Sequence, residues 1–179
     1  MKTCRDIVLE ELSRVLPQIR EESSKKLYLE IARAKRVYIT GVGRSAIMVK
    51  AFGQRLMHLG FEVHCADEIT APAIGRRDLL VVCSGTGRTL LPIYMARRAR
   101  RFGARVVAVT ARPRSRLARI AHFTVEIPAP LEPGRLTRQP ARSLFEQALF
   151  LYLDSVILTI MGELKIPRSR IRRRHANLQ

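Results

Sequence analysis

RVYITGVGRSA, residues 36–46, and LLVVCSGTGRTL, residues 79–90, share one construction: an apolar, β-branched run, a Gly/Ser/Thr loop, then the start of an amphipathic segment. Uninterrupted apolar strands suit a parallel sheet buried on both faces. Arg36–Thr40 and Leu79–Cys83 therefore read as the first and third strands. Working outward, Phe61–Cys65, Val106–Thr110 and Phe123–Ile127 read as three more. Helices fit between them: Ala46–Leu59 closed by Gly60, Leu90–Phe102 closed by Gly103, and a short Arg114–Ala121. Cys4–Ala34 predicts a helical start that Pro17 breaks. Residues 128–140 hold four prolines and one glycine, a surface loop leading into a long helix from Ser143 to about Leu164. The expected class is α/β, a three-layer sandwich on a five-stranded parallel sheet. Its expected division is an N-terminal helical segment, 1–34, packing on the domain or on a neighbouring subunit, and a domain, 35–179, that includes helix 143–164 and the C-terminal tail.

Composition bounds the function. The 179 residues make one domain, too short for separate cofactor and substrate domains. At 47% hydrophobic and 27% charged the chain folds rather than staying disordered. Met1–Leu12 mixes charges through its apolar residues, unlike a secretory segment. The apolar stretch Ala148–Gly162 is short for a membrane span and carries Asp154. A soluble, cytoplasmic protein without membrane contact is expected. Cys4, Cys65 and Cys83 are odd in number and far apart, which argues against disulfides and zinc, and no metal is expected. The net charge of +18 invites a nucleic-acid reading. Arg5, Arg55, Arg97, Arg119 and Arg138 are nevertheless scattered, and aromatics to stack bases are few, so no specific nucleic-acid partner is expected. Helix 143–164 is apolar around most of its circumference, and part of it is expected to form a subunit interface.

The two loops, Gly41-Val42-Gly43-Arg44-Ser45 and Ser84-Gly85-Thr86-Gly87-Arg88-Thr89, each stand just before a helix. Either alone can be a plain strand-to-helix connection. As a pair they form twin anion cradles: glycines admit close backbone approach, helix N-termini present free N–H groups, and hydroxyls and an arginine add donors. Gly41-x-Gly43-x-x-Ala46 also fits a dinucleotide fingerprint, with Asp67 or Glu68 placed to hold a ribose. Against that rival, a dinucleotide site needs no hydroxyl-rich second loop, and no residues remain for a substrate domain. Neither loop has the spacing or the lysine of a Walker A loop.

These loops and the five-strand alternation resemble the SIS (sugar isomerase) domain family. Arg55-Leu56-Met57-His58-Leu59-Gly60-Phe61, Ser143-Leu144-Phe145-Glu146-Gln147-Ala148 and the ending Arg174-His175-Ala176-Asn177-Leu178 resemble its 6-phospho-3-hexuloisomerases over essentially the whole chain. The resemblance implies a flavodoxin-like strand order, a homotetramer built as a dimer of dimers, and interconversion of D-arabino-hex-3-ulose 6-phosphate with fructose 6-phosphate without cofactor or metal. Two departures stand out: Ala141-Arg142 where the family has Met-Gly, and Gln179 where it ends on an acid. Arg142 either adds a phosphate contact or obstructs the loop.

Moving a carbonyl from C3 to C2 needs a base for the C2 proton and return of a proton to C3. Glu146, in the first turn of the buried helix, is the expected base, kept ionised by the helix dipole and made basic by apolar neighbours. The resemblance promotes His175, at the end of the basic run Arg168–Arg174, to proton relay or ring opening, reaching a neighbouring subunit's site. Ser84, Thr86 and Thr89, with the N–H groups of Gly85 and Gly87, are assigned to phosphate. Gly43, Arg44 and Ser45 are assigned to sugar hydroxyls or phosphate, with Arg44 stabilising an enediolate. Arg88 joins them or points outward. Glu68 and Thr70 line a pocket or merely turn the chain. His58 is expected to make a structural or interface hydrogen bond, His64 carries no strong role, and His122 is expected to lack partners. Three alternatives stand beside this reading: a non-catalytic sugar-phosphate-binding module, a SIS isomerase of another phosphosugar, and nucleic-acid binding through the basic surface.

Overall fold

The structure, a computed structural model, describes residues 2–134, 136–175 and 177. Helix α1 (Cys4–Val15) opens with reciprocal capping: the Thr3 hydroxyl accepts the Asp6 N–H at 3.2 Å and the Asp6 carboxylate accepts the Thr3 N–H at 2.8 Å. Pro17 then falls in a single 3₁₀ turn, Leu16–Gln18, because its ring cannot continue the helix, and α2 (Glu21–Arg33) follows. The rest alternates as β1 (Val37–Thr40), α3 (Arg44–Leu59), β2 (Val63–Cys65), β3 (Leu79–Cys83), α4 (Leu90–Arg101), β4 (Arg105–Thr110), α5 (Arg116–Ile120), β5 (Phe123–Glu126), α6 (Ser143–Glu163) and α7 (Arg168–Arg173).

All strand pairs are parallel and the order is β2-β1-β3-β4-β5. This is the expected five-stranded α/β sandwich in flavodoxin-like order, and it differs from the dinucleotide order 3-2-1-4-5-6. Alternate side chains divide the core. Ile39, Val81 and Val109 face a layer holding α2, α3 and α6, whereas Tyr38, Leu80, Val82 and Ala108 face α4 and α5. The middle strands are buried on both sides, which is why their sequence shows no polar alternation. Gly60 closes α3 at φ 108°, a left-handed turn that glycine makes without strain.

Helix α6 runs 21 residues, longer than the apolar stretch read from the sequence, and is long and apolar enough to cross a membrane by length and composition. It packs instead as a core helix against α1, α2 and α3, leaving Leu151 and Leu158 exposed on its outer face. Arg168–Arg174 looks like a solvated run, yet α7 lies on the C-terminal end of α3. Arg174 Nε donates to the Met57 carbonyl at 3.2 Å, and Arg170 reaches the Leu59 carbonyl at 3.5 Å. Cations there satisfy the last carbonyls of α3 and complement its dipole. Ala176, Leu178 and Gln179, which entered the sequence comparison, lie outside the described residues.

Candidate active site

The two glycine loops leave the carboxyl ends of β1 and β3, neighbours at the point where the strand order reverses, the place where open α/β sheets bind ligands. A cleft of about 480 Å³ opens there. The first loop contributes Gly43, Arg44 and Ser45, the second Ser84, Gly85, Thr86 and Thr89, and the start of α6 contributes Arg142, Ser143 and Glu146. Arg44 and Ser45 occupy the first turn of α3, so their N–H groups have no intrahelical acceptor. Ser84 is buried and its hydroxyl lies 3.2 Å from that of Thr89, which pre-orients both oxygens. Across the cleft Arg44 Nε donates to Glu146 Oε2. The Glu146 side chain is only 11% exposed, whereas Arg44 is 57% exposed.

Gly87 and Arg88 are placed otherwise. Gly87 adopts φ 58° and is buried, and its N–H donates to the Ser84 carbonyl at 3.1 Å and the Ser84 hydroxyl at 3.2 Å. That N–H is spent on holding the loop, so it is not a phosphate donor. Arg88 turns away from this cleft to line a neighbouring one. His175 is not brought to Glu146. It stacks on His58 at 5.1 Å between ring centroids, at the far end of α3 from Arg44. Fourteen residue steps along the helix take Arg44 to His58, about 21 Å at 1.5 Å per residue.

The other histidines depart from expectation as well. His58 is fully buried, and neither ring nitrogen has a hydrogen-bond partner among the described residues, so the expected bond is absent there. Burial, then the charges of His175 and Arg55, push its imidazole below the usual 6.5. His122 does have a partner: its Nδ1 accepts the Val106 N–H at 3.0 Å. His64 lies 3.2 Å from Glu62 at the sheet edge. Asp67, a ribose ligand in the dinucleotide reading, pairs with Lys50 at 3.3 Å, and Glu68 lines a different cleft beside Tyr38. Among the described residues no group of three or more His, Cys, Asp or Glu gathers as a metal site would.

One residue escaped sequence reasoning. Glu11, on α1 and 2% exposed, accepts from the Thr137 hydroxyl at 2.6 Å, the Arg138 N–H at 2.7 Å and the Gln139 side-chain amide at 3.0 Å. It straps down the loop that turns at Ala141, φ 46°, to deliver Arg142, Ser143 and Glu146 to the cleft. Burial raises the Glu11 carboxyl, but these hydrogen bonds and Arg14 outweigh it and hold the group below its usual range. No local signal marks this role, because its partners lie more than a hundred residues away in the chain.

Residues 30–153 match the SIS domain family model. The chain is 36% identical to the 3-hexulose-6-phosphate isomerase of Mycobacterium gastri over 176 residues, covering 97% of this chain and 88% of that protein. It is 34% identical to the 3-hexulose-6-phosphate isomerase of Bacillus subtilis along the full length of both. A crystal structure from Methanococcus jannaschii, whose molecular function was inferred to be 3-hexulose-6-phosphate isomerase, superposes with a TM-score of 0.87 at 30% identity, over 98% of each chain.

Proposed function

The chain belongs to the SIS domain family, and we propose that it is a sugar-phosphate isomerase interconverting D-arabino-hex-3-ulose 6-phosphate and fructose 6-phosphate. The observation that carries this reading is the meeting, in one cleft, of two anion cradles with the Arg44–Glu146 pair. The phosphate docks on the Ser84, Thr86 and Thr89 hydroxyls and the Gly85 N–H, at the N-terminal end of α4. The sugar hydroxyls meet Gly43, Arg44 and Ser45. As the sugar enters, Arg44 releases the carboxylate and moves onto the oxygen that gains charge, and Glu146 takes the C2 proton. In the 2,3-enediolate the O2 proton passes to O3, a proton is returned to C3, and O2 becomes the new carbonyl. Only protons move and no electrons are gained or lost overall, so the reaction calls for no redox cofactor. Arg142 adds a cation at the N-terminus of the helix that carries the base.

His175 acts in this reading on a neighbouring subunit, as the 21 Å separation along α3 in its own chain favours. A homotetramer, a dimer of dimers, brings tails and clefts together, and the exposed Leu151 and Leu158 of α6 supply apolar surface for it. Three thiols without disulfide partners suit work in the cytoplasm. The test is turnover of enzymatically generated hex-3-ulose 6-phosphate, read as fructose 6-phosphate through a coupled dehydrogenase, against ribulose and arabinose phosphates. Rapid and selective formation of fructose 6-phosphate supports the reading. Binding of fructose 6-phosphate without turnover overturns it in favour of a non-catalytic module.

A further inference from the structure

Beside the candidate cleft lies a second, of about 760 Å³, that the reaction does not use. Thr86 lines both. Arg88, from the loop after β3, and Arg112 and Arg114, from the loop after β4, line the second cleft, with Glu132 as its carboxylate. Glu132 is already shared, since its Oε1 lies 3.6 Å from Arg142 Nη2 of the first cleft. Among the described residues the side chains of Arg88, Arg112 and Arg114 have neither an ion pair nor a hydrogen bond.

Three guanidiniums around one shared carboxylate repel one another, and Arg88 stands just before the positive end of the α4 dipole, where a cation is disfavoured. Two arginines elsewhere show what a carboxylate partner looks like in this fold: Arg36 grips Asp78 through two hydrogen bonds, and Arg105 grips Glu30 likewise. The backbone beneath the three arginines is welded. The Ala111 N–H and Thr110 hydroxyl both donate to the Gly85 carbonyl, at 3.1 and 3.0 Å, and the Leu117 N–H donates to the Gly87 carbonyl at 3.1 Å. A rigid frame spares a ligand the cost of ordering two loops.

We propose that this second cleft is an anion site separate from the sugar-phosphate site, taking the diphosphate group of a free or nucleotide-borne diphosphate. A guanidinium fork pairs two phosphoryl oxygens at once, and three forks suit two phosphoryl groups better than one. The site is independent of the isomerase reading, because neither Arg112 nor Arg114 contacts the cleft assigned to the sugar.

The experiment is calorimetric titration of the full chain with inorganic diphosphate at ~50 mM salt, where exposed charges are weakly screened. It is run with and without saturating fructose 6-phosphate, and on the double variant Arg112→Gln, Arg114→Gln. One diphosphate binds per chain and stays bound beside fructose 6-phosphate. The double variant weakens it by about tenfold or more while leaving fructose 6-phosphate affinity and isomerase turnover unchanged. ADP in place of diphosphate identifies the source: tighter binding marks a nucleotide, weaker binding the free anion. Complete displacement of diphosphate by fructose 6-phosphate, or equal affinity in the variant, overturns the proposal. If fructose 6-phosphate itself does not bind, the isomerase reading fails, and the wild-type against variant difference still decides this one.

Discussion

Replacing Glu11 by glutamine keeps its shape and removes its charge, which isolates what the strap contributes. Three donors converge on the carboxylate at 2.6, 2.7 and 3.0 Å. A hydrogen bond to a charged group contributes about 1.5–3 kcal/mol against about 0.5–1.5 for a neutral one, so neutralising the acceptor forfeits about 1 kcal/mol in each of the three. The glutamine amide also presents donors where Thr137 and the Gln139 amide donate, and even a flipped Gln139 recovers only a neutral bond. Against this stands the lower cost of burying a neutral group, which leaves about 2 kcal/mol of destabilisation at neutral pH. For a chain of this size that lowers Tm by about 4–8 °C. The pH dependence has a definite sign. The folded carboxyl sits below its ordinary 4.5, so its contribution is complete above that value and fades as pH falls through the lower, folded one. Urea unfolding of wild type and Glu11→Gln at pH 7 and at stepwise lower pH reads both quantities. The gap is wide at pH 7 and closes in acid. Equal stability at pH 7, or a gap unchanged by acid, refutes the account of Glu11 as a charged strap.

Other perturbations follow from the same geometry. Glu146→Gln lowers turnover of hex-3-ulose 6-phosphate by about 10²- to 10⁴-fold while fructose 6-phosphate affinity holds, and wild-type turnover removes Glu146 as the base. Gly87→Ala puts a Cβ 2.1 Å from Ser115 Oγ at φ 58°. The left-handed and overpacking penalties together cost about 2–5 kcal/mol, read by denaturation, and a neutral substitution contradicts the welded loop. Mixing Glu146→Gln chains with His175→Ala chains under exchange restores about a quarter of wild-type activity if the histidine serves a neighbour, since each intact site draws its two groups from different chains. A mixture no better than its parents confines His175 to its own subunit or removes it from the reaction.

How much of this was legible in the sequence depends on how local each determinant is. Strand β3 reads residue for residue as Leu79–Cys83, because a fully buried parallel strand is an apolar run bounded by polar residues, here Asp78 and Ser84. Strand β2 reads two residues too long at its start. It is an edge strand, half buried, and its first ladder contact is only the Glu62 carbonyl accepting the Val37 N–H. Both glycine loops are visible as donor-rich strand-to-helix connections, yet the opposed fates of the Gly87 N–H and the Arg88 side chain are not. The Gly87 N–H folds back onto Ser84 of its own loop, while the Gly87 carbonyl is held by the Leu117 N–H of α5, a contact no local pattern announces. Helix α7 hides in a run of arginines whose partners are the terminal carbonyls of α3, more than a hundred residues earlier. Composition marks those arginines as solvated, and only the fold reveals what they cap.

Part of the net charge of +18 divides by position rather than standing as one surface property. One population sits in the last turns of helices: Arg33 on α2, Arg98, Arg100 and Arg101 on α4, and Arg119 on α5. Cations there are favourable to the fold itself, each by a few tenths of a kcal/mol to about 1 kcal/mol, and need no ligand. The other population gathers at the carboxyl edge of the sheet, where Arg44, Arg88 and Arg142 stand at helix N-termini against the dipole preference. Of these, Arg44 is compensated by Glu146 and Arg142 by an exposed Glu132, while Arg88 has no counterion among the described residues. A fold that spends stability to place cations at the positive ends of its helices is arranged for anions to arrive there. The same field focuses negatively charged ligands into the clefts from a distance. These arginines are thus, in three dimensions, one set of helix caps and one anion-gathering rim, to which Arg119 belongs and the scattered Arg5, Arg55, Arg97 and Arg138 do not.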